Sequence, residues 1–249
     1  MNVTTQLGSA LLLLCATGAL LGASPSGVPA YIQTAIDNPA RPEADRARDV
    51  NRKPALVVAF AGIKPGDQVG ELMPGGGYFT RIFCEIVGPK GHVYTLKMIP
   101  AVPRNQPAPP PPPLPCGNVT DESQRPTELT LPPGLDVVWT SENYHDLHNP
   151  SFGSPDMKAF DTAIFKALKP GGIFMVEDHA AEAGSGARDT NTLHRIDPEL
   201  VKQEVISAGF VFVGASDALH NADDPHQAKV FDLGGKSDKF LFKFRKPRT

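Results

Sequence analysis

Residues 68–87 read QVGELMPGGGYFTRIFCEIV. A short apolar run over residues 69–73 carries one acid, Glu71, near its end. Pro74, Gly75, Gly76 and Gly77 follow and turn the chain sharply. Phe79, Ile82, Phe83, Ile86 and Val87 then recur at helical spacing, which predicts a helix with one apolar face. Gly88-Pro89 closes that helix in the order expected at a C-terminus. Strand, glycine turn and helix make the opening unit of a nucleotide-binding α/β sheet. The missing Cβ atoms let the backbone approach a ligand, and the helix N-terminus offers unpaired N–H groups beside it.

Outward from this unit the chain alternates strands and helices. HVYTL over residues 92–96 reads as a second strand, and residues 118–120 as a short third, with Asp121 and Glu122 just past its end. LDVVWT over residues 135–140 is mostly apolar and reads as a buried strand. Met157, Phe160, Ile164 and Leu168 set one side of a helix over residues 156–168. The turn LKPGG then feeds a fifth strand, residues 173–176, which ends in Glu177, Asp178 and His179. A mobile stretch, AAEAGSGARD, follows. Asp197 caps a helix with Pro198 at its first position, and residues 210–214 form a sixth strand. SDKFLFKFRK, residues 237–246, alternates Phe240, Phe242 and Phe244 with Leu241, Lys243 and Arg245, the pattern of a last strand with one buried side. Upstream, Pro54 opens a helix with Leu56, Val57 and Phe60 on its apolar face. Residues 31–53 form a polar arm in which Arg46, Arg48, Arg52 and Lys53 read as a solvated face rather than a pocket lining.

Two common phosphate signatures are excluded. Counting from Gly75 and Gly77 puts Thr80 where a dinucleotide fingerprint needs its third glycine, and no P-loop sequence occurs. An acid at a strand end followed by a glycine turn resembles motif I of the class I S-adenosylmethionine (SAM) methyltransferases. The acid is Glu71, Gly75 and Gly77 stand at two of the glycine positions, and Met73 replaces the first. ELMPGGGY is similar to a group of bacterial predicted methyltransferases that carry export signals, and the LKPGG turn before an apolar strand resembles the same superfamily. The resemblance covers roughly residues 50–246. It implies a doubly wound, Rossmann-like α/β sheet of seven strands, mostly parallel with an antiparallel C-terminal strand. It implies SAM as cofactor, held by Glu71, Pro74, Gly75, Gly76, Gly77, Tyr78 and Ser141. One position departs from the family: the acid that accepts from the ribose hydroxyls at the end of strand two is replaced by Lys97-Met98, and an ammonium only donates.

The chain has 249 residues, enough for one α/β domain with a sizeable core. Net charge is −3 with both signs interspersed, so nucleic acid is not an expected partner. Residues 1–30 lack any charged side chain, and ALLLLCATGALLG has the length of a signal-peptide core rather than of a membrane span. Val28-Pro29-Ala30 offers small residues for cleavage and Ala23 a second place, although the leading MNVTTQ has no basic residue. The expected organisation is a signal peptide over residues 1–30, an arm over 31–53, and a methyltransferase-like domain over 54–249 with a proline-rich insert at 100–116. Export to the periplasm follows, with no lasting membrane insertion and no indication of oligomeric state. Loss of Cys15 with the leader leaves Cys84 and Cys116, open either to a bridge or to burial of Cys84 on the first helix.

Methyl transfer from a sulfonium is an in-line displacement that needs a positioned nucleophile and sometimes a base, and no metal is obligatory. His145, His148, His179, His194 and His220 all fall in segments expected at one sheet edge, while His92 and His226 fall elsewhere. The stretch SENYHDLHN, residues 141–149, comes off the fourth strand where open α/β sheets bind ligands. Three readings of it stay open. His145 with Asp146 acts as general base on the acceptor; His145 and His148 with Glu177, Asp178 or His179 hold a divalent metal; or the group ties the loop down. Tyr144 is an aromatic wall or a hydroxyl donor, and His194 with Arg195 and Asp197 is a pocket closure or a helix cap. The function expected is methyl transfer from SAM to a small-molecule acceptor. The alternatives are a non-catalytic periplasmic binding protein on the same fold, or a metal-dependent enzyme built on the histidines.

Overall fold

The computed structural model describes residue 1 and residues 27–102, 112–114 and 116–248. Seven strands form one sheet: β1 Gln68–Leu72, β2 His92–Met98, β3 Val119–Gln124, β4 Leu135–Ser141, β5 Leu168–His179, β6 Val211–Ala215 and β7 Lys239–Arg245. Their spatial order is β3-β2-β1-β4-β5-β7-β6, with every pair from β3 to β5 parallel. β7 runs antiparallel between β5 and β6. The doubly wound sheet with an antiparallel last strand is as expected from the sequence.

Alternation along the central strands feeds two cores. Val138, Phe174 and Val176 face the helices α6 (Met157–Ala167) and α7 (Pro198–Ser207). Val137, Trp139 and Met175 face α1 (Ala30–Ile36), α4 (Pro54–Ala61) and α5 (Tyr78–Val87). Trp139 packs against Phe79 and Phe83 of α5, with ring centroids 4.8 and 5.1 Å away. Two short helices, α2 (Glu43–Arg46) and α3 (Asp49–Arg52), complete the arm.

Four local expectations are corrected. β7 is buried on both faces: Phe240 and Phe244 enter one core and Leu241 the other, because a packed core covers each face of the sheet. LKPGG belongs to β5, where the register against β4 shifts between Leu135 and Val137. Asp121 and Glu122 lie within β3, where Asp121 pairs with Thr95 and Glu122 with Leu96 of β2. The stretch expected to be mobile is tied to α7 by the Asp197 carboxylate, which accepts from Gly184 N at 2.8 Å and Glu199 N at 2.9 Å.

Cys84 and Cys116 are joined in a disulfide with Cα atoms 6.2 Å apart. Cys15, the apolar leader over residues 2–26 and most of the proline-rich insert lie outside the described residues. The boundary expected at residue 30 falls on the first residue of α1, and Val28 is buried in the core. No helix among the described residues is long and apolar enough to cross a membrane.

Candidate functional site

The carboxyl ends of β1, β4 and β5 and the start of β7 meet at one edge of the sheet. β1 brings Glu71, which is buried and accepts a hydrogen bond from Thr80 Oγ1 at 2.6 Å. Burial pushes its carboxyl up to about 7, and the Thr80 bond offsets only part of that. Met73 follows in the left-handed region at φ 49°, then Gly75 at 55° and Gly77 at 80°. A Cβ built on Gly76 meets nothing within 4 Å. Gly76 is exposed beside the first turn of α5, whose leading N–H groups have no acceptor within the helix. The loop is held from behind. Arg81 donates to the Gly76 carbonyl at 2.8 Å, to Asp45 of the arm at 2.7 Å and to the Pro112 carbonyl at 3.4 Å.

Tyr78 and Ser141 sit at this edge but are already engaged. The Tyr78 hydroxyl donates to Asp49 at 2.5 Å, and its ring lies under the guanidinium groups of Arg41, Arg48 and Arg52 at 5.4, 5.3 and 4.7 Å. Ser141 Oγ donates to Glu177 at 3.0 Å, leaving the other Glu177 oxygen with no hydrogen-bond partner among the described residues.

The turn after β4 is strained at Glu142, with φ 58°. Glu142 binds Arg52 on one oxygen and Lys239 at 3.3 Å on the other. Burial works against its charge, but Arg52 and then Lys239 outweigh that and hold its carboxyl low. Neighbouring Glu177 is pushed up by burial and then by the Glu142 charge. Arg52 therefore belongs to the site, not to a solvated face: its side chain is 11% exposed. Asn143 joins the two loops, donating to the Met73 carbonyl at 2.9 Å while accepting from Thr140.

Residues 144–148 wind into a 3-10 turn that sends Tyr144 and His148 to Glu204 and leaves His145 beside Asp146. Tyr144 turns into the core, its hydroxyl donating to Asp161 at 3.0 Å and Glu204 at 3.2 Å. Burial and then those two carboxylates push its pKa well up. His148 follows it and meets Glu204 at 3.2 Å. His145 turns the other way. The carboxylate that orients it is Asp178, which accepts from the His145 backbone N–H at 2.7 Å and meets its Nδ1 at 2.8 Å. Burial lowers the His145 pKa, but Asp178 outweighs it and the net shift is upward. His145 Nε2 lies 3.3 Å from Nδ1 of His194 and 3.5 Å from Asp146.

His194, read from the sequence as either pocket closure or cap, reaches this group from a third loop. Its backbone is left-handed at φ 56°. Arg195 beside it is wholly buried and fixed to Asp224 at 2.9 Å and to the Ala180 carbonyl at 2.9 Å. Exposed Phe231 lies edge-on against the His194 ring at 4.7 Å. His179 is separate, bonded to Ser237 at 2.8 Å and pushed down to about 4 by burial. His220 does not join His145: with His226 it takes the two oxygens of Asp238, each at 2.9 Å.

No protein-family model matches the sequence. Solved structures match over most of the chain. A SAM-dependent methyltransferase from Aquifex aeolicus superposes with TM-score 0.51 at 16% identity, over 82% of this chain and 95% of its own. The N-methyltransferase NodS from Bradyrhizobium japonicum gives TM-score 0.52 at 12% identity, over 82% and 98%. The chain has the class I methyltransferase fold. That fold also carries the [4+2]-cyclase SpnF, which matches at TM-score 0.52 and 15% identity over 83% of this chain and 82% of its own. Short sequence matches point the same way. A protein-L-isoaspartate O-methyltransferase of Ignicoccus hospitalis is 46% identical over 46 residues, 18% of this chain. One from Methanothermobacter thermautotrophicus is 38% identical over 45 residues, again 18% of this chain. The matched segment spans about a fifth of these relatives, 22% and 21%.

Within the methyltransferase fold, the glycine turn after β1 is the feature that fits SAM. It leaves open space at Gly76 beside the N-terminus of α5 and near the buried Glu71 carboxyl. At the end of β2 the fit lacks the ribose carboxylate. Lys97 stands there and pairs with Asp121 of β3.

Proposed function

We propose that this protein transfers a methyl group from SAM to a small-molecule acceptor in an oxidising compartment outside the cytoplasm. The glycine turn between β1 and α5, with Glu71 buried at the strand end and Gly76 open to solvent, carries this reading. SAM, when bound, supplies a methyl group on a sulfonium for in-line displacement. Glu71, Pro74, Gly75, Gly76, Gly77 and the Tyr78 backbone would hold it, with Ser141 at the end of β4. Asn143 fixes the spacing between the glycine turn and the His145 turn through its bond to the Met73 carbonyl. His145, oriented by Asp178, would stand with Asp146 and His194 on the acceptor side of the site. Tyr144 and His148 support the turn from the core side. The Cys84–Cys116 disulfide supports export, because such bonds persist in oxidising compartments.

Gly76 is the residue to change. Gly75 and Gly77 have positive φ, so a side chain there strains the backbone, whereas Gly76 has room for one. Thermal unfolding and calorimetry with SAM should show one-to-one binding and a stabilisation of ~2.7 kcal/mol at about a hundred times the dissociation constant. Gly76→Val should fold and lose both. Lys97 favours a second reading, a binding protein for another ligand on this fold. Absence of any shift for the unmutated protein at millimolar SAM would overturn the first reading.

A further inference from the structure

We infer that His145, Asp146 and His194 form a site for one divalent transition-metal ion, with zinc the best fit to the donors. His145 Nε2, His194 Nδ1 and Asp146 Oδ1 make a triangle with sides of 3.3, 3.5 and 3.9 Å. Tetrahedral zinc with nitrogen and oxygen bonds of about 2.0–2.2 Å requires ligand–ligand separations of about 3.4 Å. The three donors are therefore spaced for one ion already. Two borderline imidazole nitrogens with one carboxylate oxygen are a donor set that zinc takes, and three protein ligands leave a fourth position for a further ligand.

A second, independent observation is the support behind His145. Ligating histidines commonly donate their other ring N–H to a carboxylate, which fixes the tautomer and the ring plane. Asp178 does this at Nδ1 and also takes the His145 backbone N–H, so Nε2 is left to coordinate. His194 is held to the same point by a left-handed backbone and by the buried Arg195 anchor. Strained backbone of this kind persists where the surrounding structure over-determines it. The contrast with His220 and His226 is direct. Among the described residues, only His145, Asp146 and His194 bring three such donor atoms within 4.8 Å of one another; the His220, His226 and Asp238 group does not.

The fourth position opens toward solvent. His145 is 3% exposed, while the Asp146 and His194 side chains are 23% and 30% exposed and form the outer rim. Water, or a hydroxyl or thiol of an incoming molecule, is the chemistry that would complete such a site. Metal binding here does not depend on the glycine turn, so a failure of SAM binding would leave it standing.

The test uses the full chain without a polyhistidine tag, stripped by chelator and titrated with zinc chloride by calorimetry. Titration with cobalt(II), read by visible absorption, reports the geometry. One zinc per chain, a raised unfolding midpoint and a tetrahedral cobalt spectrum are expected. His194→Ala should melt like the stripped protein and lose stoichiometric binding at micromolar zinc. Asp178→Asn, one bond removed from the ion, should weaken binding by about ten- to a hundredfold. His226→Ala should bind as the unmutated protein does. If His194→Ala does not fold, Asp146→Asn serves in its place. The inference is overturned if the stripped protein takes up no zinc or if the ligand variant keeps full affinity. Loss of binding in His226→Ala would overturn it equally.

Discussion

Glu71 is a carboxyl at the end of a parallel strand with Thr80 as its hydrogen-bond donor, and burial lifts its pKa from 4.5 to about 7. Between those values the folded protein holds a proton that the unfolded chain releases. The group's contribution therefore favours folding at low pH, falls as pH rises through about 7, and is constant above. The fall is on the order of 3 kcal/mol, and the neighbouring Glu177 acts in the same sense. Glu71→Gln should flatten this part of the profile, measured by urea unfolding at about pH 5 and about pH 8. Glu71 and the glycines were legible in the sequence because each answers a local demand, a strand end or a turn. The partition of Tyr144, His145, Asp146 and His148 was not. It depends on the phase of a 3-10 turn, and the composition of SENYHDLHN is the same in any phase. Asp178 was legible as an acid at the strand end, but its choice over Asp146 as partner for His145 is set by strand register.

At the scale of the element, the arm is part of the site. α3 supplies Asp49 to the Tyr78 hydroxyl and Arg52 to Glu142. Arg52→Ala would leave Glu142 buried with Lys239 alone, a loss of about 3 kcal/mol by the usual cost of breaking a buried pair. Tyr78→Phe removes only a hydroxyl bonded to a carboxylate and should cost about 1.5–3 kcal/mol. Chemical denaturation of both variants orders the two effects. A smaller loss for Arg52→Ala than for Tyr78→Phe would show that Lys239 alone satisfies Glu142. A row of basic residues on short helices reads as a solvated face from sequence, because nothing local says what covers it. The aromatic at the head of α5 was the available signal: a buried tyrosine flanked by glycine needs a partner for its hydroxyl and a lid for its ring.

At the scale of the whole molecule, the disulfide joins α5 to the chain entering β3 across a separation of 32 residues. Closing a loop of that length stabilises by about 3–4 kcal/mol through the unfolded state. Cys84→Ser with Cys116→Ser should lower the unfolding midpoint accordingly, and reductant should do the same to the unmutated protein. The doubly wound sheet with its antiparallel last strand was readable from the alternation of strand and helix patterns and from the resemblance at the glycine turn. The two-sided burial of β7 was not, since alternation describes a strand and not its neighbours. That neighbourhood has a consequence for assembly of the sheet. β6 precedes β7 in the chain but reaches the sheet only through it. β6 therefore joins the sheet only once β7 has inserted beside β5. β7 also delivers Lys239 to Glu142, so the charge balance of the site is completed only when that strand docks.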